Sequence, residues 1–269
     1  MDTPLFVGVS ASAQLLASDV DLAGRCRASV LITGPDGRDR SAVARLLHAK
    51  ASSDPQAFVA VACDRGIAGP LAFQPSGFPP AARTIYLDDL HGLSGRDQDR
   101  LLRFLEERGG DAAMRVMAGS DGRLAERVGA GSFREDLFYR LNVIHIAIPA
   151  LRDRRDDVGA MFRHCLQAIG ERAGLAVPAL TPDAVAALET YDWPGNVAEL
   201  RSIAEQLMAS RVSTVTRAAL PPQILQPAEL PRAAIDPPGA GTRDQVIVRI
   251  VEELRNVEDG LAPRATRAR

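Results

Sequence analysis

The segment Gly34-Pro35-Asp36-Gly37-Arg38-Asp39-Arg40-Ser41 lies between an apolar stretch, Val30-Leu31-Ile32, and a run with helical spacing of apolar residues, Ser41 to Lys50. Strand, glycine-bearing loop and helix in that order is the arrangement that wraps a phosphate in backbone N–H groups, with the pattern GxxxxGK[ST]. On that pattern Gly34, Gly37 and Arg38 line the loop, Arg40 stands at the lysine position, and the Ser41 hydroxyl is a candidate ligand to Mg²⁺. Asp39 occupies the position of the second glycine, where the main chain must approach closely. A carboxylate about 4 Å from a phosphate charge costs about 4 kcal/mol at an effective dielectric near 20. Arg40 keeps the positive charge, but its planar fork is larger than an ammonium and cannot act as a compact point charge. Two readings stay open: a weakened nucleotide site, or a former phosphate loop whose Arg40 pairs internally with Asp36, Asp39 or Asp88.

The next chemistry-bearing segment is Thr84-Ile85-Tyr86-Leu87-Asp88-Asp89, an apolar strand ending in two acids. In nucleotide hydrolases of this class the first acid helps hold Mg²⁺ and the second positions the attacking water, which makes Asp88 the metal candidate and Asp89 the catalytic one. An aspartate at the second position is shorter than a glutamate by one bond of roughly 1.5 Å, and a displacement of about 1 Å can cost about 10²-fold in rate.

The elements that must position these residues are an alternation of strands and helices. Apolar runs at Phe58 to Ala62, Thr84 to Leu87, Arg115 to Ala118 and Val143 to Ile148 join Val30 to Ile32 as expected buried strands. Helical spacing at Asp97 to Arg108 ends at Gly109-Gly110. This order predicts an α/β fold with a mostly parallel sheet. After Pro149 only helices are expected, over Asp156 to Gly170, Thr181 to Thr190 and Asn196 to Ala209, with Thr181-Pro182-Asp183 as an N-terminal cap. The expected division is a core over 1–150, a helical lid over 151–224, a proline-rich linker over 225–242, and a single amphipathic helix, Arg243 to Asn256, with a basic tail to residue 269.

Composition narrows the function classes. With 32 basic and 34 acidic residues in 269, the net charge of -2 excludes a polybasic nucleic-acid binder. Cys26, Cys63 and Cys165 are widely spaced and form no metal-ligand pattern, so a reducing, cytoplasmic location is expected. No apolar run approaches the roughly 18 residues needed to cross a bilayer. His164 and Cys165 are adjacent on a helix and point to different faces, which disfavours a catalytic pair. His48, His91 and His145 lack ligand spacing, and Met114, Met117 and Met161 read as core filler.

Two longer segments are more specific. Phe133-Arg134-Glu135-Asp136-Leu137-Phe138-Tyr139-Arg140-Leu141-Asn142 resembles FREDLYYRLN, and Tyr191-Asp192-Trp193-Pro194-Gly195-Asn196-Val197-Ala198-Glu199-Leu200-Arg201 resembles YxWPGNVRELRN. Together with Val30 to Gly34, Phe58 to Cys63 and Leu151 to Asp157, they make most of residues 6 to 224 resemble the AAA+ domain of the sigma-54-dependent transcription activators. The resemblance implies an AAA+ P-loop core with a helical lid, ATP and Mg²⁺ as ligands, and assembly in a ring of like or related subunits acting on sigma-54 RNA polymerase. It also implies that Arg134 and Arg140 correspond to arginine fingers reaching a neighbour's γ-phosphate, a role that can contribute about 10³ to 10⁵ in rate. Surface ion pairs with Glu135 and Asp136 are the alternative role for these arginines.

Against the family pattern, the sensor I asparagine is Asp121 and the sensor II arginine is Ala198, alongside the altered loop and the Asp88-Asp89 pair. Each change removes a donor or adds negative charge near a phosphate, and one such loss commonly costs about 10² to 10³ in turnover. Between Cys63 and Thr84 only 20 residues stand where the family carries a longer insertion with the GAFTGA loop that touches sigma-54. Arg243 to Asn256 resembles only the first helix of the family's Fis-like DNA reader, so docking or dimerisation is expected of it in preference to DNA contact, and no receiver domain is expected ahead of Leu5. The expected protein is therefore a degenerate regulator that modulates or joins an active relative, with an active activator using a variant loop and a passive DNA-binding scaffold as the competing readings.

Overall fold

The computed structural model describes residues 7–52, 54–63, 82–107 and 114–225, all within the compact unit Met1–Pro227. The segment between Cys63 and Thr84, apart from Ala82 and Arg83, lies outside the described residues, as do the expected linker from residue 226 onward and the helix at Arg243 to Asn256.

Five strands, β1 (Val30–Thr33), β2 (Phe58–Ala62), β3 (Thr84–Asp88), β4 (Arg115–Ser120) and β5 (Ile144–Ala147), form a parallel sheet in the order β2-β3-β4-β1-β5. The side chains of a strand alternate between faces, and here both faces are covered. Val30 and Ile32 of β1, Tyr86 of β3 and Met117 of β4 pack with α1 (Ala11–Gly24) and α2 (Gly37–Ala51). Leu31, Ile85, Leu87, Val116 and Ala118 face the other way, onto α3 (Gly95–Glu107), α4 (Leu124–Gly129) and α5 (Glu135–Leu141). The continuous apolar reading of the strands, without alternation, follows from this double burial.

Helix α1 was not legible in the sequence: its buried face is only Ala13, Leu16, Val20 and Ala23. Its last turn is tied to the sheet by Arg115, a charged residue inside a buried strand, which donates from Nη2 to the Ala23 carbonyl at 2.7 Å and from Nε to that of Ala28 at 3.2 Å.

Residues 151–225 carry a third apolar cluster, built on α6 (Arg155–Ala173), α7 (Pro182–Thr190) and α8 (Asn196–Ala209), with α6 packed against both others, and ending in α9 (Pro222–Leu225). The expectation of helices alone is corrected here: β6 (Ala179–Leu180) and β7 (Thr214–Val215) form a two-stranded parallel sheet. Two-residue strands are too short to show a period of two in sequence. Thr181 does occupy the N-cap of α7, but its hydroxyl bonds Asp183 and the Val215 carbonyl and caps no N–H. The YDWPGN segment is a structural turn between α7 and α8. Trp193, 1% exposed, donates its indole N–H to the Leu188 carbonyl at 2.8 Å, Glu199 accepts from Gly195 N and from the Tyr191 hydroxyl, both at 2.9 Å, and Asn196 Oδ1 accepts from Leu151 N at 3.0 Å.

The first described residues strap the lid to the core. Val7 packs on the lid cluster, and Asp157 of α6, fully buried, accepts from Val9 N at 2.8 Å, Ser10 N at 2.9 Å and the Ser10 hydroxyl. Ser10 in turn caps α1 through Ala13 N. Gly8 has φ of +150°, and a Cβ there would fall on the Asp157 carboxyl group. No helix among the described residues is long and apolar enough to cross a membrane.

Candidate functional site

The loop after β1 is at the carboxyl end of a central parallel strand, the place where an open α/β sheet binds ligands. Here the loop is short. Helix α2 begins at Gly37, four residues earlier than the Ser41 start expected from sequence, so Arg38 and Asp39 are in its first turn. The cause is local: Asp36 is an N-cap residue, and its carboxylate accepts from Arg38 N at 2.7 Å. An N–H that a phosphate-wrapping loop would offer to a ligand is thereby used by the chain itself.

Arg40 turns inward. It is 3% exposed, and its guanidinium donates from Nη1 to the Gly34 carbonyl at 2.7 Å, from Nε and Nη2 to Asp88 Oδ1 at 3.3 and 3.2 Å, and from Nη2 to Asp89. Burial opposes this charge, but Asp88, Tyr86 and Asp89 outweigh it and hold the guanidinium above its ordinary value. Of the internal partners considered from sequence, Asp88 is realised; Asp89 is added, and Asp36 and Asp39 make no ion pair with Arg40. Asp89 reaches Arg40 from a left-handed backbone, φ +55°, a conformation aspartate tolerates better than most residues.

Asp88 is shared by more donors than sequence could show. Its Oδ1 also accepts the Tyr86 hydroxyl at 2.9 Å and Asp89 N at 3.0 Å. β4 lies between β1 and β3, and at the crossing it carries Gly119; a Cβ there would collide with the Tyr86 hydroxyl and stand 2.7 Å from Asp88 Oδ1. Tyr86 and Gly119 are thus parts of the site that sequence reasoning missed. The available signal was a tyrosine and a glycine inside otherwise apolar strands. Burial and the adjacent Asp88 push the Tyr86 phenol well above its ordinary value, so it remains a donor.

Asp39 is 3% exposed and holds a pKa raised to about 6, chiefly by burial and then by Asp36, against the charges of Arg201, Arg154 and Arg40. Beside this cluster, Gly37, Arg38, Ser41, Ala42, Arg45 and Asp88 line an open cleft of about 440 Å³. Ser41 is half-buried in that cleft.

As they stand, these residues do not fit a magnesium triphosphate. Asp88 Oδ1 already accepts four hydrogen bonds, Arg40 spans both strand-end carboxylates, Arg38 N is capped by Asp36, and a second carboxylate, Asp39, is buried in the same helical turn.

The remaining candidates are not part of this cluster. Asp121, at the end of β4, accepts from Arg123 N at 3.2 Å and lies 3.7 Å from Arg127. Arg134 is the exposed N-cap of α5, its fork held by Asp136 and Asp99, both at 2.6 Å, so the expected pairing with Asp136 is present and that with Glu135 is replaced by Asp99. Those bonds, Asp136 first, raise the Arg134 pKa. Arg140, on the last turn of α5, is exposed beside Tyr139, itself 61% exposed, and has no ion pair among the described residues. Cys165 is buried and its thiol is pushed up to about 11 by burial, so it is no nucleophile beside His164.

Comparison with known proteins follows the same lines. A model of the sigma-54 interaction domain matches residues 7–151, and a model of the AAA+ ATPase lid domain matches residues 152–234. The transcriptional regulatory protein ZraR of Escherichia coli K12 is 34% identical over 226 residues, which is 74% of this chain and 51% of ZraR. The nitrogen assimilation regulatory protein NtrX of Azorhizobium caulinodans is 31% identical over 245 residues, covering 81% of this chain and 54% of NtrX. The chain thus spans about half the length of the curated relatives it matches. The crystal structure of NtrX from Brucella abortus in complex with ATP superimposes with a TM-score of 0.70 at 28% identity, over 93% of this chain and 61% of that one. The RuvB branch migration motor of Thermotoga maritima, 12% identical with a TM-score of 0.58 over 82% of this chain and 68% of that one, shares the fold.

Proposed function

This chain belongs to the sigma-54 interaction domain family of AAA+ proteins, and from that membership we propose that it is a cytoplasmic transcription regulator that joins or modulates the ring of an active relative without turning over ATP. The observation that carries this reading is the Arg40 clamp on Asp88 and Asp89. In a working site the cation at this position neutralises transferring phosphate and the strand-end acids hold the metal and the water. In this chain the same three side chains neutralise one another. Freeing Arg40 would leave two partly buried carboxylates and a Gly34 carbonyl without their donor, a loss on the order of 3 kcal/mol that any ligand would have to exceed.

What the chain retains is the face offered outward. Arg134, braced by Asp99 and Asp136, and Arg140 with Tyr139 project from α5 into solvent, where a neighbouring subunit's nucleotide could meet them. Sigma-54 RNA polymerase is then contacted indirectly, through the active partner, and DNA binding by this chain is not required.

The test is the steady-state ATPase rate of an active sigma-54 activator, measured with and without the purified chain, alongside the chain alone and its Arg40→Ala variant. The expected result is no turnover by the chain above the variant, co-purification with the activator, and a changed activator rate that Arg140→Glu abolishes. Turnover by the chain that Arg40→Ala removes, or no association and no rate change, overturns the reading.

A further inference from the structure

Two consecutive residues of α3 grip Arg134, one by its main chain and one by its side chain. Gln98, buried, accepts from Arg134 N at 2.9 Å through Oε1, while its amide nitrogen donates to the Leu93 carbonyl at 3.2 Å and to the Ser132 carbonyl at 3.1 Å. Ser132 N and Phe133 N both donate to the Arg127 carbonyl, at 2.9 and 3.1 Å, and the Phe133 ring is buried. The backbone entering α5 is therefore pinned, and the part of Arg134 left to move is its side chain.

The two carboxylates on that side chain are not equivalent. Asp136 lies on α5 itself and takes the fork bidentately, Nε to Oδ1 at 3.0 Å and Nη2 to Oδ2 at 2.6 Å, while also accepting from Leu137 N at 2.7 Å. It orients the guanidinium without tying it to another element. Asp99 lies on α3 and takes Nη1 at 2.6 Å. With Nε and one N–H of Nη2 committed to Asp136, the donors left for a further anion are on Nη1 and Nη2, and Asp99 already stands at Nη1. A phosphate that meets Arg134 there must displace Asp99 or share the cation with a like charge. Arg140, on the last turn of the same helix, has no ion pair among the described residues.

On the reading above, in which α5 faces a neighbouring subunit's nucleotide, we propose that Asp99 is a latch on Arg134: in the chain by itself it occupies the arginine and leaves Arg140 as the cation offered outright, and Arg134 joins Arg140 only when the neighbour's phosphates displace Asp99. The side chains of Arg134 and Asp99 are 44% and 51% exposed, and an exposed ion pair of this kind adds little to stability. The latch thus opens readily to a multiply charged phosphate, Asp136 keeps the freed fork oriented, and Gln98 holds the backbone still while the side chain swings. The charge that this chain brings to a partner's site then depends on whether that site already holds a nucleotide.

The experiment has two measurements on the full chain. The first follows the side-chain nitrogen resonances of Arg134 and Arg140, assigned by Arg134→Lys and Arg140→Lys, in the wild type and in Asp99→Ala. The expected result is rotation about the Arg134 Nε–Cζ bond faster by roughly 3-fold in Asp99→Ala, with Arg140 unchanged. The second is the concentration of chain that gives half its effect on the ATPase rate of an active sigma-54 activator, for the wild type, Asp99→Ala, and Asp99→Ala combined with Arg134→Ala. Asp99→Ala is expected to lower that concentration by roughly 3-fold, and the combined variant to lose the gain. Arg134 rotation in Asp99→Ala equal to that of the wild type overturns the proposal, as does a half-effect concentration that Asp99→Ala leaves unmoved, or a gain that persists without Arg134. If no form of the chain changes the activator's rate, the reading of α5 as a face for a neighbour's nucleotide falls instead, and the Arg134 resonance alone decides whether Asp99 holds that arginine.

Discussion

The Tyr86 hydroxyl donates to Asp88 Oδ1 at 2.9 Å, onto the oxygen that Arg40 also holds at 3.2 Å, and it passes over Gly119 to do so. Two strands, β3 and β4, and one helix, α2, therefore converge on a single carboxylate oxygen. That convergence makes the cluster a unit whose members should respond together to substitution.

Gly119→Ala is expected to destabilise the protein by about 1–3 kcal/mol, since its methyl group meets the Tyr86 hydroxyl and Asp88 in a packed interior. Tyr86→Phe removes the colliding oxygen, so the double variant should recover part of the loss. Urea denaturation of the four proteins in a double-mutant cycle reads the coupling; additive effects would show that the contact does not limit Gly119.

Stability should fall as pH rises from about 4 to about 7. Asp39 has a folded pKa of about 6 against an ordinary 3.8, so the folded state binds the proton more tightly. The contribution is therefore present below the unfolded pKa and is lost as pH passes the folded one, amounting to about 2–3 kcal/mol across that window. Asp39→Asn should flatten this part of the profile, measured by denaturant midpoints at each pH, and an unchanged slope in the variant would remove Asp39 as its source.

Asp157→Ala should cost about 2–4 kcal/mol, because Val9 N, Ser10 N and the Ser10 hydroxyl lose a fully buried acceptor. Gly8→Ala should approach the same phenotype by collision with that carboxylate. Limited proteolysis near residues 7–10 would detect the freed strap in both variants, and protection equal to the wild type would contradict the strap.

Arg140→Ala should leave stability within about 0.5 kcal/mol of the wild type, as an exposed arginine without an ion pair among the described residues. Loss of fold, read by circular dichroism, would mean that Arg140 is structural and is not available to a neighbouring subunit.

The lid helices were legible because their apolar residues recur at helical spacing, as in Val158, Met161, Phe162 and Cys165 of α6, and the strands because short continuous apolar runs such as Val30 to Ile32 end in turn residues. The phosphate-type loop was legible as a position, between β1 and α2, but its shape was not. Whether Asp36 bonds a neighbouring N–H and winds Arg38 and Asp39 into the helix depends on a capping geometry that competes with the loop pattern, and residue types alone do not decide it. Arg40 could be assigned an internal acid, yet Asp89 as partner required the left-handed turn at residue 89. Arg115 and Tyr86 escaped notice because a polar residue in an apolar run carries no periodic signal; their partners, Ala23 and Asp88, are fixed only by the tertiary fold. Their placement also explains why the core tolerates them: the Tyr86 hydroxyl is hydrogen-bonded, and Arg115 is held through Nε and Nη2, while its buried Nη1 has no hydrogen-bond partner among the described residues.

The lone tryptophan of the chain, Trp193, is enclosed in the apolar cluster of the lid and absent from both clusters of the sheet. Its emission is consequently a private optical record of one half of the molecule. When the protein is unfolded, tryptophan fluorescence times the melting of α6, α7 and α8, far-ultraviolet dichroism times all the helices together, and the interval between the two transitions measures how firmly lid and core unfold as one.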